Sequence, residues 1–325
     1  MAVGKVFITR AVPGRGLELL RGAGHDPDVW PDELPPPPEV LAAKLAESDA
    51  ALTMVVDRIS PHMLDASPSL KVVANMAVGY DNIDPAEAAS RGVWVTNTPG
   101  VLAETTADMA FALLMAAARN VVASDRDTRA GGWKTWSPTG FLGRDVHGAI
   151  LGIIGLGEIG EAMVRRARGF EMRVLYASRT RKPQVEARLG CIYGSLEEIL
   201  PQCDFISVHT PLNVETRKLF GRREFELMKP STLFINTARG GVVDQDALIQ
   251  ALREGQIAGA ALDVTDPEPL PLDSPLYSLP NVIITPHIAS ASLATRSKMA
   301  DMAATNIIEV LAGREPINPV NRPKR

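Results

Sequence analysis

Cysteine is nearly missing from this chain. Cys191 and Cys203 are the only two in 325 residues. No disulfide framework can be built from them, and a reducing cytoplasm is the expected setting. Clusters of basic charge are missing too. The net charge is −4, and no block of Lys and Arg suggests nucleic-acid binding. No apolar run suits a membrane. The best candidate, Met109 to Ala118, lies between Asp108 and Arg119. It is far short of the roughly 20 residues a span needs. Near the N-terminus, Val6-Phe7-Ile8 is broken at once by Thr9-Arg10, unlike a signal peptide. No internal repeat is visible, and no metal is expected. Histidine is scarce, with five in all, so each can be weighed singly.

What remains is ordinary globular composition, with 46% hydrophobic and 22% charged residues. The length suits two domains better than one core. Pro35–Pro38 is expected to be a polyproline-like surface loop. Short β-rich runs alternate with helical patterns. Lys5–Thr9, Ala50–Val56, Leu70–Ala77 and Val93–Thr96 form a first series of expected strands. Ala149–Ile154, Arg173–Tyr176, Phe205–Val208, Thr232–Asn236, Ala258–Asp263 and Val282–Thr285 form a second. Such alternation predicts an α/β protein with two doubly wound parallel-sheet domains. The expected boundaries are 1–99, completed by 291–325, for a substrate-binding domain, and 100–290 for a larger Rossmann domain.

Two helices bear on that division. One continuous helix is expected from about Val101 to Arg129. Its middle, Ala110–Ala118, is apolar on every face and must be covered on all sides, within a domain or between subunits. A subunit interface is the favoured reading, with the aromatic Gly131-Gly132-Trp133-Lys134-Thr135-Trp136 just beyond. The last helix, about Ser292 to Ala312, is expected to pack back on the first domain.

The segment Gly155-Leu156-Gly157-Glu158-Ile159-Gly160 joins an expected strand to an expected helix. Alone, this glycine spacing often marks only a turn. Between a strand and a helix, with another strand ending near Ala177, it predicts a dinucleotide-binding loop. The first glycine allows the turn, the second lets the backbone approach a pyrophosphate, and the third lets helix and strand pack closely. The next strand ends in Ser178-Arg179-Thr180-Arg181-Lys182, with no carboxylate. A carboxylate there would repel a 2′-phosphate, whereas a hydroxyl and guanidinium groups would hold one. NADP(H) is therefore expected over NAD(H), with use of both possible. A solvated basic turn is the plainer alternative.

Hydride chemistry on a carbonyl needs a proton donor and a means of orienting the substrate. His25, His62 and His147 sit in loop or helix-start contexts that suit surface or structural roles. His209 and His287 both follow expected strands, where ligands gather in such folds. Position alone does not choose between them. Arg239 lies in the turn Asn236-Thr237-Ala238-Arg239-Gly240-Gly241. Carboxylates lie in Asp263-Val264-Thr265-Asp266-Pro267-Glu268-Pro269. Each alone could be a solvated loop; together they are harder to dismiss.

At these motifs the chain resembles the D-isomer-specific 2-hydroxyacid dehydrogenases, and within them the glyoxylate/hydroxypyruvate reductases. The resemblance also includes Lys5-Val6-Phe7-Ile8-Thr9-Arg10, Val78-Gly79-Tyr80-Asp81, Gly132-Trp133-Lys134-Thr135-Trp136 and Pro286-His287-Ile288-Ala289-Ser290. It implies that His287 is the proton donor, Glu268 its acidic partner and Arg239 the substrate clamp. It implies that backbone N–H groups of Val78 and Gly79 hold the substrate carboxylate, in a cleft between domains. Gly157 to Gly160, Ser178, Arg179, Thr180, Thr237, Ala238, Arg239, Asp263, His287 and Ala289 are implied cofactor contacts. Ala289 departs from the glycine of many relatives. Trp136 is implied to reach the neighbouring active site in a homodimer built on the long helix. No further regulatory domain is expected after the last helix. The implied activity is reduction of small 2-keto acids by NAD(P)H. Alternatives are a dehydrogenase for lactate or glycerate, or a non-catalytic NAD(H)-sensing regulator.

Overall fold

The computed structural model describes residues 3–323. They form two compact units. One comprises the chain up to Leu102 and again from Ser290 onward; the other is Ala103–Ala289.

The first unit carries β1 (Lys5–Ile8), β2 (Asp26–Val29), β3 (Ala50–Thr53), β4 (Val72–Asn75) and β5 (Trp94–Thr96). All pair in parallel, in the order β2-β1-β3-β4-β5. Every residue of β3 and β4 is buried, as parallel strands covered on both faces should be. The helix Leu293–Leu311 starts at Ser292, whose side chain accepts from Thr295 N. It packs on the first strands' sheet, burying Met299, Ala303, Ile307 and Val310. The chain then returns beside β5, where Val320 N donates to Val95 O.

The second unit carries β6 (Ile150–Ile154), β7 (Arg173–Ala177), β8 (Ile192–Tyr193), β9 (Phe205–Val208), β10 (Leu233–Asn236), β11 (Gly259–Leu262) and β12 (Val282–Ile284). Their order is β12-β11-β10-β9-β6-β7-β8, all parallel. The strand order reverses between β6 and β9, which places a ligand crevice at their carboxyl ends.

The long helix differs from expectation. It ends at Ala118, and a second helix, Val121–Arg129, leaves it at 62°. Asn120 sits between them at φ 53°, a left-handed conformation that Asn tolerates better than most residues. Its Nδ2 donates to Leu142 O at 3.1 Å, and Arg144 N donates to Ala118 O at 2.8 Å. The returning chain thus caps the helix where the apolar pattern predicted continuation. Ala107, Ala110, Phe111, Leu113, Leu114 and Ala118 are buried inside their own unit, so the apolar helix is largely covered without a partner. No single described helix is long and apolar enough to cross a membrane; the bent pair passes such a test only jointly.

Candidate active site

The loop after β6 is shaped for an anion. Gly155 has φ +98°, and a Cβ there would lie 2.7 Å from the His209 carbonyl carbon. A Cβ on Gly160 would lie 2.3 Å from Gly155 O. Gly157 meets nothing within 4 Å: it faces open space at the start of the helix Glu158–Arg168. One glycine makes the turn, one seals helix to strand, and one leaves room for close approach. Free N–H groups of the helix's first turn point into that space. Leu156 is buried, so its side chain serves the core; Glu158 is exposed and Ile159 half-buried. These residues fit a dinucleotide's pyrophosphate.

The turn after β7 is looser. Ser178 Oγ donates to Thr180 O at 2.6 Å. Arg181 is held by Glu186, with Nη2 to Oε2 2.8 Å. Arg181 first, then the Tyr176 hydroxyl, holds the Glu186 carboxyl down at about 2. Burial, above all, pushes Tyr176 up to about 12. Arg179 is 84% exposed, with Glu215 3.7 Å away.

The Arg239 turn is braced by its own strand end. Asn236 Nδ2 donates to Arg239 O at 2.9 Å, and Asn236 Oδ1 accepts from Ala238 N at 3.0 Å. A Cβ on Gly240 would lie 2.0 Å from the Thr265 carbonyl, so only glycine lets this turn press on the acidic loop. Thr237 Oγ1 is buried and has no partner among the described residues.

A histidine–carboxylate pair stands after β12. His287 Nδ1 and Glu268 Oε2 are 2.8 Å apart, both side chains half-buried. Glu268 Oε1 accepts from Thr265 N at 3.0 Å, which fixes the carboxylate before it meets the imidazole. His287 has φ 53°, a strained conformation for this residue. Asp263 holds it there. Its Oδ1 accepts from Thr285 Oγ1 at 2.6 Å and Ile288 N at 2.9 Å, and its Oδ2 from Ala289 N at 2.7 Å. The family resemblance implies Asp263 as a cofactor contact. In the structure its buried carboxylate also braces the loop that carries His287.

His209, the other strand-end histidine, has a different setting. Its Nε2 meets Ser207 Oγ at 2.8 Å, and its Nδ1 is buried without a partner among the described residues. Burial pushes its pKa down to about 3, so it stays neutral at ordinary pH. His25 is a buried residue, and burial lowers its pKa. Val78 and Gly79 follow β4 in the other unit. Trp136 is 80% exposed on the segment after the helix break. Neither cysteine is paired, and both are buried.

Sequence reasoning missed the two braces, Asn236 and Asp263 in this role. Their only signal is position: a short polar side chain at the end of a buried strand, just before a turn.

The family model for the D-isomer specific 2-hydroxyacid dehydrogenase NAD binding domain matches residues 111–289. A glyoxylate reductase of Korarchaeum cryptofilum is 50% identical over 98% of this chain and 96% of its own length. The chain belongs to the D-isomer specific 2-hydroxyacid dehydrogenases. As one of these dehydrogenases it is an oxidoreductase with a nicotinamide-dinucleotide-binding domain. A Thermus thermophilus protein of known structure superposes with a TM-score of 0.92 at 46% identity, over 97% of this chain and 99% of that one. The NADPH-dependent glyoxylate/hydroxypyruvate reductase of Sinorhizobium meliloti, solved with NADP and malonate, superposes with a TM-score of 0.86. It is 32% identical, over 100% of this chain and 99% of that one.

Proposed function

We propose that this dehydrogenase reduces glyoxylate and hydroxypyruvate-type 2-keto acids to D-2-hydroxy acids, with NADPH preferred over NADH. The 2.8 Å His287–Glu268 pair at the carboxyl edge of the dinucleotide-binding sheet carries this reading. When bound, the reduced nicotinamide supplies the hydride to the carbonyl carbon. Glu268 holds Nδ1–H of the imidazole, which leaves Nε2 to give its proton to the carbonyl oxygen. Arg239 offers a planar fork that matches the substrate carboxylate. Within their own unit, the backbone N–H groups of Val78 and Gly79 are carboxylate donors. Gly155, Leu156, Gly157, Glu158, Ile159 and Gly160 hold the pyrophosphate, and Thr237, Ala238 and Ala289 line the nicotinamide side.

Preference for the 2′-phosphate is supported by the missing carboxylate after β7 and by exposed Arg179. Arg181 is committed to Glu186, so Arg179 carries the contact, joined by Ser178 once its hydroxyl turns from Thr180 O to the phosphate. A homodimer is supported by the segment after the helix break, where the large apolar side chains of Trp133, Trp136, Phe141 and Leu142 are all exposed. A cytoplasmic setting is supported by two unpaired cysteines.

The test is NADPH and NADH oxidation, followed spectrophotometrically, with glyoxylate, hydroxypyruvate, pyruvate and bulkier 2-keto acids. The highest kcat/KM is expected for glyoxylate or hydroxypyruvate with NADPH. Turnover confined to a bulkier acid, or none at all, would refute the assignment.

A further inference from the structure

The segment Asn75 to Tyr80 leaves β4 with three successive peptide carbonyls tied down on one side. Ala77 O accepts from Thr98 N at 2.8 Å. Val78 O accepts from Asn97 Nδ2 at 2.9 Å, and Gly79 O accepts from Asn75 Nδ2 at 2.9 Å. These peptides are trans, since the cis bonds among the described residues lie at Pro267 and Pro269. In a trans peptide the N–H points opposite to the C=O. Fixing the carbonyls of Ala77 and Val78 therefore aims the N–H groups of Val78 and Gly79 the other way. Neither N–H has an acceptor among the described residues. The third tie, on Gly79 O, fixes the far side of Gly79, the residue with most freedom to swing the pair out of line.

The Asn75 amide is itself held. Asn75 is fully buried, and its Oδ1 lies 3.3 Å from Thr53 Oγ1. Asn82 lies beside it, and Asn82 Nδ2 donates to Met54 O at 3.1 Å and Asp57 O at 2.9 Å. Asp57, also buried, accepts from Met54 N at 2.7 Å and from the Thr9 hydroxyl. The amide network thus runs from the ends of β1 and β3 to the loop after β4.

Granting the 2-keto acid reading of the site, we propose that Asn75 and Asn97 are positioning residues for substrate specificity, aiming the Val78 and Gly79 N–H groups as a carboxylate clamp. Asn75→Ala and Asn97→Ser release one carbonyl each. Lost aim weakens carboxylate binding in ground and transition states alike, so KM rises while kcat holds. KM for glyoxylate should rise about five- to tenfold in each variant. The inhibition constant for oxamate, a carboxylate probe of similar size, should rise in parallel. The dissociation constant for NADPH, read by fluorescence, should stay within about twofold of wild type. A purely structural role would instead lower melting temperature and the active fraction while leaving KM and oxamate inhibition unchanged; that result overturns the proposal. If Asn75→Ala does not fold, Asn97→Ser, at a half-buried position, decides alone. If the wild type turns over no 2-keto acid, the functional reading fails by itself. Calorimetric binding of oxamate to wild type and Asn97→Ser then decides the clamp: equal affinities, or no binding to either, overturn it.

Discussion

Two histidines stand at the carboxyl edge of one sheet, one after β9 and one after β12, and their surroundings make them different groups. His209 packs against Ser207 with its Nδ1 buried, and its backbone fills the space that Gly155 leaves for it. His287 is half-exposed, bent into a left-handed conformation and paired with a carboxylate. One cannot take up a proton near neutral pH; the other is presented with one nitrogen tied and the other available. A strand end brings a side chain to the ligand crevice. The loop beyond it decides whether that side chain does chemistry.

Replacing each histidine should separate them most sharply. His287→Ala should lower glyoxylate turnover by roughly 10²–10⁴-fold, the usual share of a positioned acid. His209→Asn should cost less than about tenfold in turnover. Equal losses in steady-state assays would erase the distinction.

Arg239→Lys extends the comparison to substrate orientation. It keeps the charge and loses the fork, and charge-assisted hydrogen bonds contribute about 1.5–3 kcal/mol each. A drop in kcat/KM for glyoxylate of about one to two decades is expected, with NADPH affinity little changed. Unaltered steady-state constants would remove Arg239 from the clamp.

The turn after β7 should respond more weakly, because it is solvent-exposed and screened. Arg179→Ala should lower kcat/KM for NADPH by up to about tenfold and leave NADH nearly unchanged. Ser178→Asp adds repulsion and should act in the same direction. Equal effects on both cofactors at fixed ionic strength would mark the turn as a solvated surface.

A last effect concerns stability rather than turnover. His209 titrates at about 3 when folded, against a usual 6.5. As pH falls below 6.5, the unfolded chain takes up this proton and the folded chain does not. Folding therefore loses stability as pH drops from about 6.5 towards 3, at up to about 1.4 kcal/mol per pH unit. His209→Asn should flatten that part of the profile in urea unfolding at pH 7 and pH 5. Parallel losses in both proteins would assign the acid sensitivity elsewhere.

Much of this was legible from the residues. The central strands are continuous apolar runs, and the glycine loop carries its meaning in its spacing. The edge strands β2 and β8 were not visible. Asp26-Pro27-Asp28-Val29 has no apolar run, and Ile192-Tyr193 is a two-residue exposed strand. These two bury little, so hydrophobic pattern does not mark them, whereas the other two edge strands, β5 and β12, carry apolar runs. The helix break at Asn120 was hidden because its cause is tertiary: the chain from Phe141 to Arg144 returns to cap Ala118. The two strand-end histidines looked alike in sequence because burial, Ser207 and the Glu268 partner arise only when the loops are placed. Asp263 was expected as a cofactor contact, and its part in bracing depends on where Ile288 and Ala289 direct their N–H groups.

The central claim is that His287 gives a proton in keto-acid reduction and takes one in hydroxy-acid oxidation. The most direct test is kcat/KM for glyoxylate reduction and for glycolate oxidation across pH, with the chemical step shown to limit. Reduction should slow and oxidation should speed up over the same pH interval, and both slopes should vanish in His287→Ala. Profiles that run in the same direction, or slopes that persist in that variant, would contradict it.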